Sequence, residues 1–455
     1  MIAEQIFKAY DIRGRYPSEI NEATVRAIAN AYTYFLRPRV IVLGRDVRKS
    51  GPQLMRAVKN ALVQSGVNVI DIGVVPVDTF YFAVGYLRVD GGIFVSASHN
   101  PREWNGMNLA RRNARPISSE SGLLRIRDLA KKGVVVRARR RGKVTKKNIL
   151  DQHLDFLGRR FPIVNARPTV AVINGNFGVS AKFFESYVRR NKLPFQLIGL
   201  NHKPNGKFPK GPPDPLLLEN RLETSRLVKR TGADLGIAWD ADGDRVFFID
   251  DRGRFLESCF VGAILASEIL KLNPKGAIIV DTRVIYPACD AVRRAGGRLI
   301  VSRPGMTLIA ERMRRERAVF ASEFSGHFFF REAFNRDSGL LPAILLLNFM
   351  FRQKKKLSVI AEPFFKKYFL SGEINFHLAS QENARHILSA AEKFYKGGRK
   401  NHIDGLSMEY PDWRFNLRPS NTEALLRLNV EARDRTVLRK RTKELRRFVL
   451  KHSPR

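Results

Sequence analysis

From the N-terminus to about Phe369 the chain repeats one pattern, a short run rich in β-branched residues, a polar turn and then an amphipathic stretch. Strands that alternate with helices cover both faces of a sheet, so this alternation confines the chain to α/β architecture. In the first unit "RVIVLGRD" (Arg39 to Asp46) reads as a strand and turn, "SGPQLMRAVKNALVQSG" (Ser50 to Gly66) as a helix and "NVIDIGVVP" as the next strand. Leu54, Met55, Val58, Leu62 and Val63 recur at three- and four-residue steps, and Gly66 supplies the stop. The pattern restarts at "TVAVINGNFG" (Thr169 to Gly178) and again at "GAIIVDTRV" (Gly276 to Val284), after the helical "CFVGAILASEILKL". Beyond Phe369 it changes: "HLASQENARHILSAAEKFYKG" reads as a helix, "WRFNLRPSN" and "ALLRLNVEAR" as strands around a turn, and "RTVLRKRTKELRRFVLKH" as a terminal helix. The expected organisation is three α/β domains over 1–148, 149–250 and 251–368, followed by an α+β domain over 369–455.

Composition narrows the chemistry. Of 455 residues 44% are hydrophobic and 27% charged, which excludes a disordered chain. Two cysteines, Cys259 and Cys289, exclude a disulfide framework and a cysteine-rich zinc site, so a reducing compartment is the default. The 81 Lys and Arg against 43 Asp and Glu give a net charge of +38, which attracts nucleic acid, anionic membrane surfaces and phosphorylated metabolites alike. The cations fall in runs, Arg137 to Arg141 with Lys143, Lys354 to Lys356 and Arg439 to Lys443, read as solvated faces with polyanion binding as the rival. The opening MIAEQIFKAYDIRG has no apolar targeting core, so a cytoplasmic protein is expected. The most apolar run, Leu340 to Phe351, is interrupted by Pro342 and Asn348, and reads as a buried helix rather than a membrane span.

Four loops carry chemistry. "WDADGDRV" places Asp240, Asp242 and Asp244 at alternate positions before Arg245. Carboxylates so crowded repel one another unless a cation or several donors neutralise them, and an all-oxygen set suits Mg²⁺ or Ca²⁺. An EF-hand would need Gly where Arg245 stands and Glu where Asp251 stands. The strand-like "ADLGIA" before it puts the aspartates on a loop at a strand's end, with a solvated acidic turn as the bland alternative. In "GGIFVSASHNPREWNG" a strand ending at Ser96 presents Ser98, His99, Asn100 and Pro101 on a turn. The glycine spacing of a hydrolase elbow is missing, so a serine that carries a phosphoryl group near the metal loop is the more coherent chemistry, although such turns are often merely structural. "ASEFSGHFFF" offers Glu323, Ser325, Gly326 and His327, a polar turn suited to sugar hydroxyls. "RPSNTEALLRL" offers Arg418, Ser420, Asn421 and Thr422, a phosphate-binding inventory or an ordinary polar turn.

Together and in this order these strings resemble the α-D-phosphohexomutase superfamily, in particular its phosphomannomutase/phosphoglucomutase members. The resemblance runs from "FKAYDIRG" through "GRDVRKSG", "SASHNP", a diverged "NGNFG", "ADLGIAWDADGDRV", "EFSGHFFF" and "DSGL" to "RPSNTE". It implies three similar α/β domains with mixed sheets between helices and a smaller C-terminal α+β domain around a cleft. It implies reversible transfer of a phosphoryl group between the 1- and 6-positions of a hexose phosphate through a phosphoserine, with Mg²⁺ and a hexose 1,6-bisphosphate intermediate that also serves as activator. Ser98, His99, Arg13, Arg245 and His327 would then be catalytic, and Asp240, Asp242 and Asp244 would hold the metal with an oxygen of phosphorylated Ser98. Glu323, Ser325, Gly326, Arg283 and Met306 would face the sugar, and Arg418, Ser420, Asn421 and Thr422 would clamp the phosphate that is not reacting.

Three positions depart from the family pattern. A lysine proposed to assist proton transfer is replaced by Asn108, with Arg111 and Arg112 as the nearby cations. Met306 stands where mannose- and glucose-active members carry histidine, and Arg283 where lysine is common. Phe324 and Met306 fit neither the glucosamine-active pattern nor the other closely, whereas "GHFFFREAFNRDSGLL" favours mannose and glucose. The alternatives are a phosphoglucosamine mutase, or a mutase-like protein that binds phosphosugars or polyanions without turnover. A monomer or dimer is expected, and the basic runs lack the aromatic spacing of sequence-specific nucleic-acid recognition.

Overall fold

A computed structural model describes residues 2–420 and 424–453. The chain packs as two units, Met1–Leu256 with Gly305–Arg314 and Gly326–Ser358, and Glu257–Pro304 with Arg315–Ser325 and Val359–Arg455.

In the first unit, strand Val40–Arg45 pairs in parallel with Asn68–Val74 and with Gly91–Val95. Gly91–Val95 then pairs antiparallel with Trp104–Arg111, and that strand with Ile12–Arg15, so the sheet is mixed. The expected helix forms over Gly51–Gln64 and buries Leu54, Met55, Ala57, Val58, Ala61 and Leu62, while Gly66 after it adopts φ 80°. Two parallel strands therefore end on the same edge and deliver the turns that begin at Asp46 and Ser96 side by side; the Asp46 N–H donates to the Val95 carbonyl at 3.1 Å. Edges of this kind carry ligands in α/β sheets because side chains from several loops converge there.

The second sheet of this unit pairs Thr169–Asn174 in parallel with Phe195–Leu200 and with Leu235–Trp239. Leu235–Trp239 returns antiparallel as Val246–Asp250, which makes the aspartate loop a hairpin tip. Phe255–Leu256 pairs with Val246–Asp250, so the sheet runs past the expected boundary at 250: the chain turns back at Asp251–Arg254 before it leaves. The apolar run forms the helix Leu340–Gln353, with Leu340, Leu341, Ile344, Leu346 and Leu347 buried. Among the described residues no helix is long and apolar enough to cross a membrane.

In the second unit Ala277–Asp281 pairs in parallel with Arg298–Ser302 and Phe320–Ser322. The C-terminal sheet is antiparallel, in the order Phe369–His377, Leu425–Ala432, Trp413–Pro419, Leu406–Glu409 and Arg399–Asn401. Sequence reading anticipates the two central strands. It does not anticipate Phe369–His377, whose register shifts between Leu370 and Glu373, around Ser371 and Gly372, and whose alternation is therefore broken. Helices Gln381–Phe394 and Arg435–Lys451 are capped by Ser380 and Asp434, which accept from the Asn383 and Val437 N–H groups. The basic residues of Arg137–Arg141 and Lys354–Lys356 are exposed, as expected of solvated faces.

Candidate active site

Ser98 lies on the turn that leaves Gly91–Val95, with φ 47°. The left-handed conformation costs about 1 kcal/mol or more for a non-glycine residue and needs a surround that imposes it. Arg48 provides that surround. Fully buried, it donates from Nη2 to the carbonyls of Ser98 (2.7 Å) and Asn100 (2.6 Å), from Nη1 to those of Pro101 (2.6 Å) and Trp104 (2.9 Å), and from Nε to Asp46 Oδ2 (3.1 Å). Every donor of the guanidinium fork is used, four of them on one loop. Arg48→Ala would strip those carbonyls of their shared donor and leave the buried Asp46 carboxylate without its counter-charge, and is expected to cost about 3–5 kcal/mol, read as a lowered denaturation midpoint.

Ser96 links the turn to the aspartate hairpin. Its Oγ accepts from the Ser98 N–H (2.9 Å) and lies 2.9 Å from Asp46 Oδ2 and 2.7 Å from Asp242 Oδ2. One hydroxyl proton cannot serve two carboxylates. Burial, and then the charge of Asp240, push the Asp242 carboxyl up to about 7, so Asp242 is the partner that can bring a second proton.

Asp240, Asp242 and Asp244 are buried, and one oxygen from each lies within 4.8 Å of the others. Gly243, at φ 78°, makes the tight bend between them; a Cβ there would stand 1.7 Å from Ser180 Oγ. Asp240 Oδ1 accepts from the N–H groups of Gly243 (3.0 Å) and Arg245 (3.3 Å), and Oδ2 accepts from Ser98 Oγ (2.9 Å). Asp242 Oδ1 and Asp244 Oδ1 have no hydrogen-bond partner among the described residues although both are buried. Burial, then Asp242 and Asp240, hold the Asp244 carboxyl well above its ordinary range. Orphaned oxygens and mutual repulsion in an all-oxygen set are what a hard dication relieves, so the residues present fit Mg²⁺.

Cations surround this cluster. Arg245 Nε donates to His327 Nε2 at 3.1 Å. An arginine only donates, so Nε2 is an acceptor and the ring proton sits on Nδ1, 3.0 Å from Asp337 Oδ2. Burial works against the Asp337 charge, but Arg336 and His327 hold its carboxyl below the ordinary value. Arg13 donates from Nη1 to Asn100 Oδ1 and from Nε to Asp11 Oδ2, each at 2.7 Å. His99 Nδ1 is 3.1 Å from Ser98 Oγ, and burial together with Arg245 and Arg13 keeps the imidazole neutral. Ser98, His99, Arg13, Arg245, His327 and the three aspartates thus lie in one connected set of contacts. Gly326, at φ 89°, sits where a Cβ would meet the Phe247 ring at 2.4 Å, and its carbonyl accepts from the Val246 N–H at 3.1 Å.

The departures have definite surroundings. Asn108 is buried on Trp104–Arg111, in register with Phe94. Arg111 donates to the Ser121 carbonyl and Arg112 to Asp90 (3.2 Å), so neither joins the hydrogen bonds around Ser98. Met306 begins the helix Met306–Glu316, with its Sδ 3.6 Å from Arg336 Nη2.

The remaining site residues lie in the second unit. Arg283 grips Asp281 with two bonds (Nε–Oδ1 3.0 Å, Nη2–Oδ2 2.7 Å), donates to Ser325 Oγ (3.2 Å) and stands 3.8 Å from Glu323. Asp281 Oδ2 also accepts from the Phe324 N–H at 2.7 Å, so one carboxylate ties the Arg283 and Glu323–Ser325 turns together. Despite burial, Asp281 and Glu323 push the Arg283 pKa up. Beneath it, the buried pair Arg414–Glu431 (2.7 Å) fixes the 282–286 loop: Arg414 donates to the carbonyls of Thr282 and Arg283, and Glu431 accepts from the Ile285 and Tyr286 N–H groups. Arg418 donates to Glu373 (2.8 Å), and the Ser420 N–H donates to the Leu425 carbonyl (2.8 Å). Asn421 and Thr422 lie outside the described residues.

Sequence reading assigns no role to Asp46, Arg48, Ser96, Asp337, Arg414 or Glu431. The alternating Asp46 and Arg48 at a strand's end was the available signal, since opposite charges so placed after a buried strand seldom face water.

Family models match in succession: phosphoglucomutase/phosphomannomutase alpha/beta/alpha domain I over 4–134, domain II over 151–253, domain III over 259–368 and the C-terminal domain over 373–447. A phosphomannomutase of Escherichia coli K12 is 40% identical over 446 residues, spanning 96% of this chain and 97% of the relative. A protein of Xanthomonas campestris named phosphohexose mutases is 39% identical, spanning 96% and 98%. The crystal structure of a phosphoglucomutase/phosphomannomutase family protein from Burkholderia thailandensis superposes with a TM-score of 0.91 at 28% identity, covering 99% of this chain and 98% of that one. With every domain of the family matched in order and full-length relatives near 40% identity, the chain belongs to the phosphoglucomutase/phosphomannomutase family and is an enzyme of the phosphohexomutase class.

Proposed function

We propose that this chain interconverts the 1- and 6-phosphates of mannose and/or glucose through a phosphorylated Ser98 and a hexose 1,6-bisphosphate, with Asp240, Asp242 and Asp244 holding Mg²⁺. The observation that carries the reading is the placement of Ser98 Oγ 2.9 Å from Asp240, beside two buried carboxylate oxygens without partners. A nucleophile so placed shares one small volume with the residues that neutralise a phosphate. When bound, the dication supplies positive charge that offsets the charge of the transferring phosphoryl.

The chain's own residues do the rest. Arg48 and Ser96 hold the Ser98 main chain so that Oγ points at the hairpin. Arg245, anchored on His327, and Arg13, anchored on Asp11 and Asn100, bring fixed positive charge to the phosphoryl oxygens. In the first transfer a sugar oxygen gains the phosphoryl as the Ser98 Oγ–P bond breaks, and the sugar's hydroxyl proton ends on Ser98 Oγ. The bisphosphate then turns about, and Ser98 takes the other phosphoryl by the reverse of this step. Within the second unit, Glu323, Ser325 and Arg283 form a polar set suited to sugar hydroxyls, and Arg418 with Ser420 suits a phosphate. Relatives named phosphomannomutase support the choice of sugar.

Phosphorus NMR of the protein with Mg²⁺ and a trace of hexose 1,6-bisphosphate, offered mannose, glucose and glucosamine 1-phosphates separately, tests the reading. Conversion of the mannose or glucose ester to its 6-phosphate is expected. Conversion of the glucosamine ester alone overturns the sugar assignment, and no conversion of any overturns the activity.

A further inference from the structure

Arg336 is buried, yet it is poorly provided for. Its guanidinium carbon lies 3.8 Å from the centre of the Tyr81 ring, and Nη2 is 3.1 Å from Asp337 Oδ1 and 3.6 Å from Met306 Sδ, while Nε and Nη1 have no hydrogen-bond partner among the described residues. An apolar side chain of similar length fills such a space at lower cost, because a buried cation must recover its lost hydration from its partners. Packing alone therefore does not account for the charge. What the charge meets is Asp337.

The short strand Arg336–Asp337 pairs antiparallel with Phe328–Phe330, which sets Asp337 opposite Phe329, two residues from His327. The two oxygens of Asp337 are divided: Oδ1 meets Arg336 Nη2 at 3.1 Å as an ion pair without hydrogen-bond geometry, and Oδ2 takes the Nδ1 proton of His327. The other ring nitrogen of His327 accepts from Arg245, whose backbone N–H already bonds Asp240 Oδ1. A continuous chain of contacts thus runs from Arg336 to the guanidinium beside the aspartate hairpin.

We propose that Arg336 is a positioning residue: by fixing the Asp337 carboxylate it holds His327 with its proton on Nδ1, which leaves Nε2 to accept from Arg245 and keeps that guanidinium aimed at the reacting phosphoryl. Without the cation, Asp337 Oδ1, which makes no hydrogen bond among the described residues, also loses its ion pair, and nothing then holds the carboxylate in its present orientation. A His327 ring released from Asp337 can carry its proton on Nε2. It then sets an N–H against the N–H of Arg245, and the two donors separate. The step from Arg245 to turnover rests on the function proposed above; the orientation of His327 does not.

Arg336→Met and Arg336→Gln, in full-length protein supplied with Mg²⁺, test this. In each, kcat is expected to fall ~10–100-fold with KM changed less than about threefold, because the group lost orients a catalytic residue and touches no substrate. Long-range proton–nitrogen spectra of histidine-labelled protein should assign His327 to the Nδ1–H form in the wild type and show loss of that form in both variants. A variant that keeps the Nδ1–H form, whatever its kcat, overturns the proposal, and so does unchanged kcat. The glutamine variant, which keeps a polar group above Tyr81, decides the matter if the methionine variant does not fold. The spectra need no turnover, so an inactive wild type with the expected nitrogen pattern counts against the assigned function alone.

Discussion

Ser98→Ala is expected to reduce interconversion of hexose phosphates by ~10³-fold or more while leaving the protein folded. In the proposed cycle the Ser98 oxygen forms and breaks a bond to phosphorus twice per turnover, so its loss removes the carrier rather than weakening a contact, and no neighbouring group can substitute. The groups that face Ser98 Oγ are Asp240 Oδ2 at 2.9 Å and His99 Nδ1 at 3.1 Å; because the hydroxyl proton goes to Asp240, Nδ1 carries a proton and has no lone pair to offer a phosphoryl group. Stability should change little, for a reason the geometry supplies. The turn is fixed through its main chain: Arg48 binds the carbonyls of residues 98, 100, 101 and 104, and Ser96 Oγ accepts from the N–H of residue 98. None of these bonds involves the Ser98 side chain. Its loss leaves Asp240 Oδ2 and His99 short of one partner each, about 1–2 kcal/mol in all. Intact mass after incubation with hexose 1,6-bisphosphate gives the direct readout: the wild type should gain a phosphoryl group and the variant should not. A variant that is still phosphorylated, or that turns over within tenfold of wild type, would falsify the assignment of Ser98.

What the sequence discloses and what it hides follows from distance along the chain. The aspartate hairpin is legible because Asp240, Asp242, Asp244 and Arg245 are neighbours, and their crowding is costly in any fold. The helix Gly51–Gln64 is legible because its buried face recurs at helical spacing. Arg48 is not, because its partners are carbonyls some fifty residues away, whose positions exist only once Val40–Arg45 and Gly91–Val95 have paired. The same holds for Glu431, which serves the 282–286 loop, and for Asp337, whose place beside His327 depends on the pairing of Phe328–Phe330 with Arg336–Asp337. Asn108 is the reverse case. Its identity marks an expected departure, and the structure adds that the amide is buried, in register with Phe94.

Asp242→Asn is expected to act in opposite directions on turnover and on metal-free stability, and the pair of signs separates a metal site from an acidic turn. The Asp242 carboxyl is raised from 3.8 to about 7, first by burial and then by Asp240. A carboxyl whose folded pKa lies above its unfolded value costs nothing below the unfolded value, where it is protonated in both states. The cost builds as pH rises from the unfolded value to the folded pKa and levels off above it, because in that window the unfolded chain has released the proton and the native site has not. At about 1.4 kcal/mol per unit, the metal-free wild type should lose up to about 4 kcal/mol between pH 4 and pH 8 on account of this group. Asparagine has the same shape and no charge, and its amide can still meet Ser96 Oγ. The metal-free variant should therefore unfold at a higher temperature than the metal-free wild type at pH 8, and the gap should close toward pH 4. With Mg²⁺ the order changes. The cation offsets the repulsion among Asp240, Asp242 and Asp244 and raises the wild-type midpoint at pH 8, whereas the variant, with one carboxylate fewer, gains little. Turnover should fall by ~10²-fold or more, since the transferring phosphoryl loses part of the charge arranged to meet it. Melting curves at the two pH values with Mg²⁺ and with EDTA, together with kcat, complete the test. Near-normal turnover in the variant, or a wild-type midpoint at pH 8 that ignores Mg²⁺, rules out the hairpin as the metal site.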